Sequence, residues 1–509
     1  MERYSVKITA AEEKDGIISI YGTTENLGLR KVEIILNGDL CKRCVAENNE
    51  DGTWRAEMKI TSGGEYTVEA SIRDYSDFNK LRQTTKNDNY FMLDGSNVWG
   101  ATVVKHTDGL YYMLFAAWDT HISFSPDWIY FSEIGYAVAT RLEGPYIYQG
   151  KALDAGYCNT THTEPVKWNW SGEEARLNVF HNPTIMKSKK DGRYYLYFTG
   201  TSRDDLEKSH RRSRVGVAYA DSPAGPWTIM DKFLLGELSL AAGDWESGFT
   251  SNPSVTEIKR EDGTYFYYAI YKAAGVYEGQ NICATGYGIS DSPLGPFKRS
   301  KAPIMRDPKV GFSVEDCYVW RNAGKYYALA KDMTKGNWTG VTDGYSYALF
   351  ESPDENNWAL SENRLAFRNE IPWEKGVQKV QYYERSQLYL EDGIPFMIYN
   401  ATTISGLSPY QNHQPYNVRV PLLGEVLASC TVSLTVRDLA ENSADKTELA
   451  RLLHEAQIMN YENLNRETWK KLKSAVSAAR VVQARENAEQ ADVDLVVSVL
   501  KKVISAAQG

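Results

Sequence analysis

Short runs in which apolar and polar residues alternate open the chain: Tyr4-Ser5-Val6-Lys7-Ile8, Ile17-Ile18-Ser19-Ile20-Tyr21, Val32-Glu33-Ile34-Ile35-Leu36 and Tyr66-Thr67-Val68-Glu69-Ala70. A period of two sends successive side chains to opposite faces of a strand. Gly and Asn-Gly turns separate the runs, and strands this short at this spacing predict a small β-sandwich over residues 1–85. At the other end the period becomes helical. Leu449, Leu452 and Leu453 form a stripe that Ala456 and Ile458 extend, and two more amphipathic stretches follow, from about 466 to 484 and from about 488 to 506. Short joints between them predict a three-helix bundle over 445–509.

Between these ends one unit recurs five times: Asp108-Gly109-Leu110-Tyr111-Tyr112, Asp191-Gly192-Arg193-Tyr194-Tyr195, Asp262-Gly263-Thr264-Tyr265-Phe266, Ala323-Gly324-Lys325-Tyr326-Tyr327 and Asp392-Gly393-Ile394-Pro395-Phe396. Asp-Gly between β-rich runs is a hairpin signal, because Gly accepts the positive φ of the tight turn. A second unit follows the first four, beginning at Gly135, Gly216, Gly286 and Ser346; the first three of these run on to a Gly-Pro turn at 144–145, 225–226 and 295–296. Five repeats of strand, hairpin, strand and strand close radially into a propeller. The predicted fold is therefore mainly β: a five-bladed β-propeller over 90–436, flanked by the N-terminal β-sandwich and the C-terminal three-helix bundle.

Composition narrows the function. At 509 residues several domains are expected. The net charge of −9 argues against nucleic acid, whose phosphates need basic surfaces. No apolar run is long enough to enter and span a bilayer. The 34 Tyr and 13 Trp suit strands, and their flat faces also stack on sugars. Six scattered cysteines include one close pair, Cys41-Lys42-Arg43-Cys44, read as a surface turn because no second pair completes a zinc site.

The candidate chemistry lies where the five inner strands converge. Aligned backwards from their hairpins, they start on Trp99, His181, Ser251, Glu315 and Glu384, followed by Gly100, Asn182, Asn252, Asp316 and Arg385. Buried polar groups need partners, so these residues either satisfy one another as an axial plug or line a polar pocket. Lys272 and Lys331 stand near strand ends facing the same funnel, and Trp168-Asn169-Trp170 offers a stacking platform in the loop before blade two. A lone His181 beside Asn182 does not make a metal site, which wants three clustered ligands.

The stretch from Gly95 to about Pro421 resembles the five-bladed glycoside hydrolases of family 43 and its relatives, families 62, 32, 68 and 117. The resemblance implies a general-acid Glu on blade four, in a Val-Glu-Gly-Pro-like stretch that Val314-Glu315-Asp316-Cys317 matches, which makes Glu315 the acid candidate. The family's blade-one base falls on Gly100 and its blade-three Asp on Asn252. The residues up to about 85 resemble immunoglobulin-like modules of bacterial surface enzymes. Tyr461-Glu462-Asn463-Leu464 through Lys471-Leu472, with Ala491-Asp492-Val493-Asp494, resembles the FIVAR module of secreted Gram-positive enzymes. These likenesses imply a secreted or cell-surface bacterial protein, associated with the cell wall through its flanking modules, although Met1 to Val6 does not read as a signal peptide.

Ordinary glycosidic hydrolysis needs two carboxyl groups, one to protonate the leaving oxygen and one to activate water or attack the sugar. Glu384 is favoured as the second, since a neighbouring carboxylate would keep Glu315 protonated. Asp332, Glu133 and Asp119 are alternatives, while Asp316 should point away from Glu315 unless a bulge intervenes. Trp99, His181, Asn182, Asn252, Asp316, Asp332, Arg385 and Lys272 are the candidate substrate-binding residues. The expected activity is an exo-acting glycosidase acting on a terminal sugar of an oligo- or polysaccharide, with no cofactor required; a hydrated Ca²⁺ on the axis, of the kind some propellers carry, is left open. Two other readings stand beside it: a non-catalytic glycan-binding propeller, and a phosphorylase resembling family 130, with the three cations holding phosphate.

Overall fold

The computed structural model describes residues 4–170, 172–204, 213–238, 243–341, 345–403, 414–437, 439, 444–459 and 464–508. Residues Tyr461, Glu462 and Asn463 of the motif above lie outside them. The middle of the chain forms five four-stranded antiparallel sheets. Their inner strands are Ser96–Lys105, Val179–Lys187, Phe249–Lys259, Val314–Asn322 and Glu384–Glu391, for blades one to five. Each inner strand packs against the next, and that of blade five against that of blade one, which closes the ring.

The repeated hairpins explain themselves locally. In blades one to three the Asp side chain accepts the backbone N–H two residues on, at Leu110, Arg193 and Thr264, and the following Gly takes φ of +75 to +87°. In blades four and five both turn residues are left-handed, Ala323 and Gly324, then Asp392 and Gly393, as the tightest two-residue hairpins require. Blade five borrows its outermost strand from the start of the ring: Tyr90–Phe91 pairs with Pro415–Pro421. The two ends of the propeller are thus stitched within one sheet.

One boundary differs from the expectation. The strand Glu425–Val436, predicted as propeller, pairs along its length with Gly64–Asp74 and completes a sheet with Val32–Leu36 and Asp39–Val45. A second sheet, with Ser5–Lys14, Ile17–Glu25 and Thr53–Lys59, faces it across a core of Ile18, Ile20, Ile34, Trp54 and Val68. The propeller is therefore inserted between two neighbouring strands of the sandwich. Strand alternation alone does not name a partner, so sequence pattern places this strand in either domain equally well.

The Cys41–Cys44 segment is also corrected: it is part of the strand Asp39–Val45 and not a surface turn. Alternation sends Cys44 toward the sandwich core and Arg43 to the propeller. Arg43 is buried there, paired with Glu33 and Tyr75, donating to the Leu422 carbonyl at 2.7 Å and lying over the Phe396 ring.

Three helices end the chain, Thr447–Ile458, Arg466–Ala484 and Gln490–Gln508. They share an apolar core with Ile147 on the outermost strand of blade one. That strand's Tyr148 N–H, otherwise an open edge donor, is accepted by the Ser474 hydroxyl at 2.9 Å. Asp492 pairs with Arg141 at 3.1 Å and Arg485 donates to the Gly144 carbonyl at 3.0 Å. No described helix is long and apolar enough to cross a membrane.

Candidate active site

Each inner strand carries the same irregularity near its start. Its register against the neighbouring strand slips, and the second aligned residue adopts a left-handed backbone: Gly100 at φ +59°, Asn182 at +48°, Asn252 at +52°, Asp316 at +51° and Arg385 at +52°. A bulge places an extra residue on one strand and redirects its side chain. Gly, Asn and Asp tolerate this conformation, which accounts for four of the five residue types. The bulge also decides the open question about neighbours: Glu315 and Asp316 both line one cavity of about 320 Å³ at the mouth of the ring.

The second-position residues form the cavity floor. Asn182 donates to Asn252 at 2.7 Å, Asn252 donates to Asp316 at 2.7 Å, and the Arg385 backbone N–H donates to Asp316 at 3.2 Å. The Arg385 guanidinium lies across the axis, 3.6 Å from Asp316 and bonded to the Asn182 carbonyl at 3.4 Å. A Cβ on Gly100 would stand in ordinary contact, 3.5 Å from Arg385, so it is the left-handed backbone, and not lack of space, that favours glycine there. The axial-plug and pocket readings are therefore both realised, in successive layers.

Above the floor the charges alternate. Lys272 lies opposite Ser251 in blade three and pairs with Glu315 of blade four. Lys331 lies opposite Glu315 in blade four and pairs with Glu384 of blade five, with its Nζ 3.9 Å from Glu315. Burial works to raise both glutamates, but with different outcomes. Glu315 has a lysine on either side, so its carboxyl is held below the usual range and stays ionised. Glu384 shares one lysine and faces Asp316 and Glu315, so it is raised. Asp316 is raised by burial and by Glu315. A protonated Glu315 was expected; Lys272, which sequence spacing did not pair with it, reverses that.

Blade one contributes aromatic rings instead of charges. Trp99, Trp118, Phe124 and Trp128 belong to blade one and its loop, and all line the cavity. Trp128 stacks on His181 with ring centroids 4.4 Å apart. Nδ1 of His181 is 2.8 Å from the Ser132 hydroxyl. Burial, helped by the Arg385 charge, pushes its pKa well below the usual value, so the ring is neutral.

Trp99, His181, Asn182, Asn252, Glu315, Asp316, Glu384 and Arg385 meet at this cavity as expected from their alignment, and so does Lys272, expected from its place near a strand end. Other candidates lie elsewhere. Asp332 is fully buried and caps its own turn, accepting from Thr334, from the Gly336 N–H at 2.8 Å and from the Thr339 hydroxyl at 2.5 Å. Glu133 pairs with Lys151 at 2.7 Å, and Asp119 binds His121 and Arg466. Trp168 and Trp170 form no platform; they are buried with Phe198 and Phe233.

Sequence reasoning missed Trp118, Phe124, Trp128, Tyr345 and Tyr382, which line the same space. A signal for the lysines existed: the residues opposite the aligned starts are Ala116, Thr199, Lys272, Lys331 and Ala401, and only two of them are charged. Of the axial residues Asp316 carries a carboxylate, which faces the Arg385 guanidinium, and no group of three His, Cys, Asp or Glu side chains able to hold a metal occurs among the described residues.

No protein-family model and no curated protein matches the sequence. Solved structures similar to it include a family 117 glycoside hydrolase of the marine bacterium Zobellia galactanivorans, at 19% identity and a TM-score of 0.43 over 67% of this chain and 88% of that one. A thermostable family 43 glycoside hydrolase is similar at 14% identity and a TM-score of 0.44, over 71% and 100%. A GH43_1 enzyme of Xanthomonas citri is similar at 12% identity and a TM-score of 0.40, over 67% and 94%.

Proposed function

We propose that the cavity is the active site of a glycoside hydrolase that removes a terminal sugar from an oligo- or polysaccharide. The observation that carries this reading is the pair Glu315 and Glu384, linked by Lys331 at one cavity mouth and shifted in opposite directions, Glu315 toward the ionised form and Glu384 toward the protonated one. Acid–base cleavage of a glycosidic bond needs such a division. Glu384, raised, donates its proton to the leaving oxygen as the C–O bond breaks. Glu315, ionised, takes a proton from the attacking water or itself attacks the anomeric carbon. Neutral His181 and the floor asparagines offer hydrogen bonds to hydroxyls, and the aromatic side takes the apolar face of the ring.

The closed floor of Asn182, Asn252, Asp316 and Arg385 favours entry of a chain end over a chain middle. Lys272, Lys331 and Arg385 each face a carboxylate, which weighs against a phosphate-holding role for them. One observation favours the binding-only alternative: the tight Lys272–Glu315 pair occupies the carboxylate in this state. On the enzymatic reading the chain belongs to a secreted or cell-surface bacterial protein, with the sandwich as an immunoglobulin-like module and the helices as a FIVAR-like one. The test is a panel of chromogenic pyranosides and furanosides with wild type, E315Q and E384Q. Turnover by wild type that both variants lose supports the hydrolase; sugar binding with no turnover in any of the three sinks it in favour of a lectin.

A further inference from the structure

The aromatic side of the cavity depends on one loop, residues 120–132, between the second and third strands of blade one. Its far end is fixed at the candidate site itself. The Ser132 hydroxyl bonds His181, the Ser132 carbonyl accepts from the Phe180 N–H at 3.0 Å, and Trp128 lies flat on the His181 ring. Its near end is fixed differently. Asp119 accepts from the His121 backbone N–H at 2.8 Å and so caps the turn into the loop, while the Thr120 N–H reaches the Gly95 carbonyl at 3.3 Å.

Both of those acceptors are held by one guanidinium from another domain. Arg466, the first residue of the second C-terminal helix, forks onto the two Asp119 oxygens and donates to the Gly95 carbonyl at 2.9 Å. Gly95 has a left-handed φ of +70°, and a Cβ there would stand 3.5 Å from both the Arg466 fork and Trp469. The helix is itself fixed to blade one by Ser474, and the helix after it by Asp492, so the fork is anchored from behind. Asp119 and Arg466 do not line the cavity.

We propose that the C-terminal helices are a working part of the binding site: through Arg466, a positioning residue, they hold the 120–132 loop so that Phe124 and Trp128 are set before the sugar arrives. That the ligand is a sugar rests on the glycoside hydrolase reading; the tether does not. A loop fixed at one end only samples more conformations, and ordering it on binding weakens affinity without touching the carboxylates.

The test uses the full chain and three variants: R466Q, R466K, which keeps the charge but loses the fork, and R451Q, a control whose ion pairs stay on its own helix. Hydrogen exchange is followed peptide by peptide. Residues 120–132 are expected to exchange about tenfold faster in R466Q, less so in R466K and unchanged in R451Q, with other peptides of blade one unaffected. On a cleaved glycoside, KM is expected to rise about fivefold in R466Q with kcat within about twofold. Exchange in 120–132 that matches wild type in both Arg466 variants, or a rise spread evenly over blade one, overturns the tether. A loosened loop in a chain that cleaves no glycoside supports the tether and overturns the hydrolase instead.

Discussion

The two sides of the cavity are built by different means. Blades three, four and five supply Lys272, Glu315, Lys331 and Glu384 from paired strands at the level of the bulges, each lysine reaching across to the next blade's glutamate. Blade one supplies Trp99 and Trp118 from strands, but Phe124 and Trp128 from a loop held at its ends. One side is a rigid electrostatic array, fixed by the ring itself. The other is a shaped apolar surface, part of it on a loop held at one end by blade two and at the other by a helix outside the ring. Charge placement must be exact to within a hydrogen bond, and strands provide that; stacking tolerates more slack, and a loop suffices. On the proposed glycoside hydrolase reading, the division puts chemistry on blades four and five and affinity on blade one.

The sharpest way to break this division is to remove each carboxylate in turn. E384Q and E315Q are each expected to lower kcat about 10²–10⁴-fold on any cleaved glycoside, with KM little changed. The pH profile sharpens it further: activity should fall at low pH as Glu315, lowered, takes a proton, and at high pH as Glu384, raised, loses one. E315Q should abolish the acidic limb and leave the basic one in whatever rate remains. A basic limb that vanished with Glu315 instead would exchange their roles.

Next in size is the support beneath the charged side. Asp332 satisfies four donors in the turn that leads from Lys331 toward Tyr345, so D332A strands them in a buried site. A loss of about 3 kcal/mol in unfolding free energy is expected, read by urea titration. On the aromatic side, W128A should raise KM or the sugar's Kd about tenfold, equal to about 1.4 kcal/mol, and leave kcat nearly untouched. A kcat loss in W128A as deep as in E384Q would erase the contrast between the two sides.

The smallest effect concerns His181, which sits between them. Its folded pKa lies below the unfolded value of about 6.5, so the unfolded chain binds the extra proton as pH falls through that value. Stability is therefore present above about 6.5 and declines below it, by about 1.4 kcal/mol per pH unit at most. Melting temperatures at pH 7.5 and 5.5 should show the drop in wild type and a smaller one in H181Q.

Much of this is legible in the sequence. The five hairpins announced the ring because each Asp-Gly or Ala-Gly turn repeats the same local chemistry, and local chemistry is what a sequence displays. Aligning strands backwards from those turns found nine residues that share the cavity. The bulges were not legible, since alternation assumes one residue per pleat; Asp316 was consequently aimed away from Glu315. Trp128 was invisible because loop residues carry no period. Asp332 was misread because a buried carboxylate that caps a turn and one that meets a substrate look alike in a string of letters. Lys272 shows the deepest limit: its partner lies on the next blade, and the pairing inverts the protonation that spacing suggested.

The insertion of the ring into the sandwich sets a timetable for biogenesis. Asp74 closes one strand and Glu425 opens its neighbour, with about 350 residues made in between. At translation rates of roughly 5–20 residues per second, the sandwich waits on the order of half a minute for its last strand. Until then the backbone of Gly64–Asp74 is exposed on one side to any extended segment leaving the ribosome. The module that begins first is thus the module that finishes late, and the ring must be synthesised before its own mount is whole.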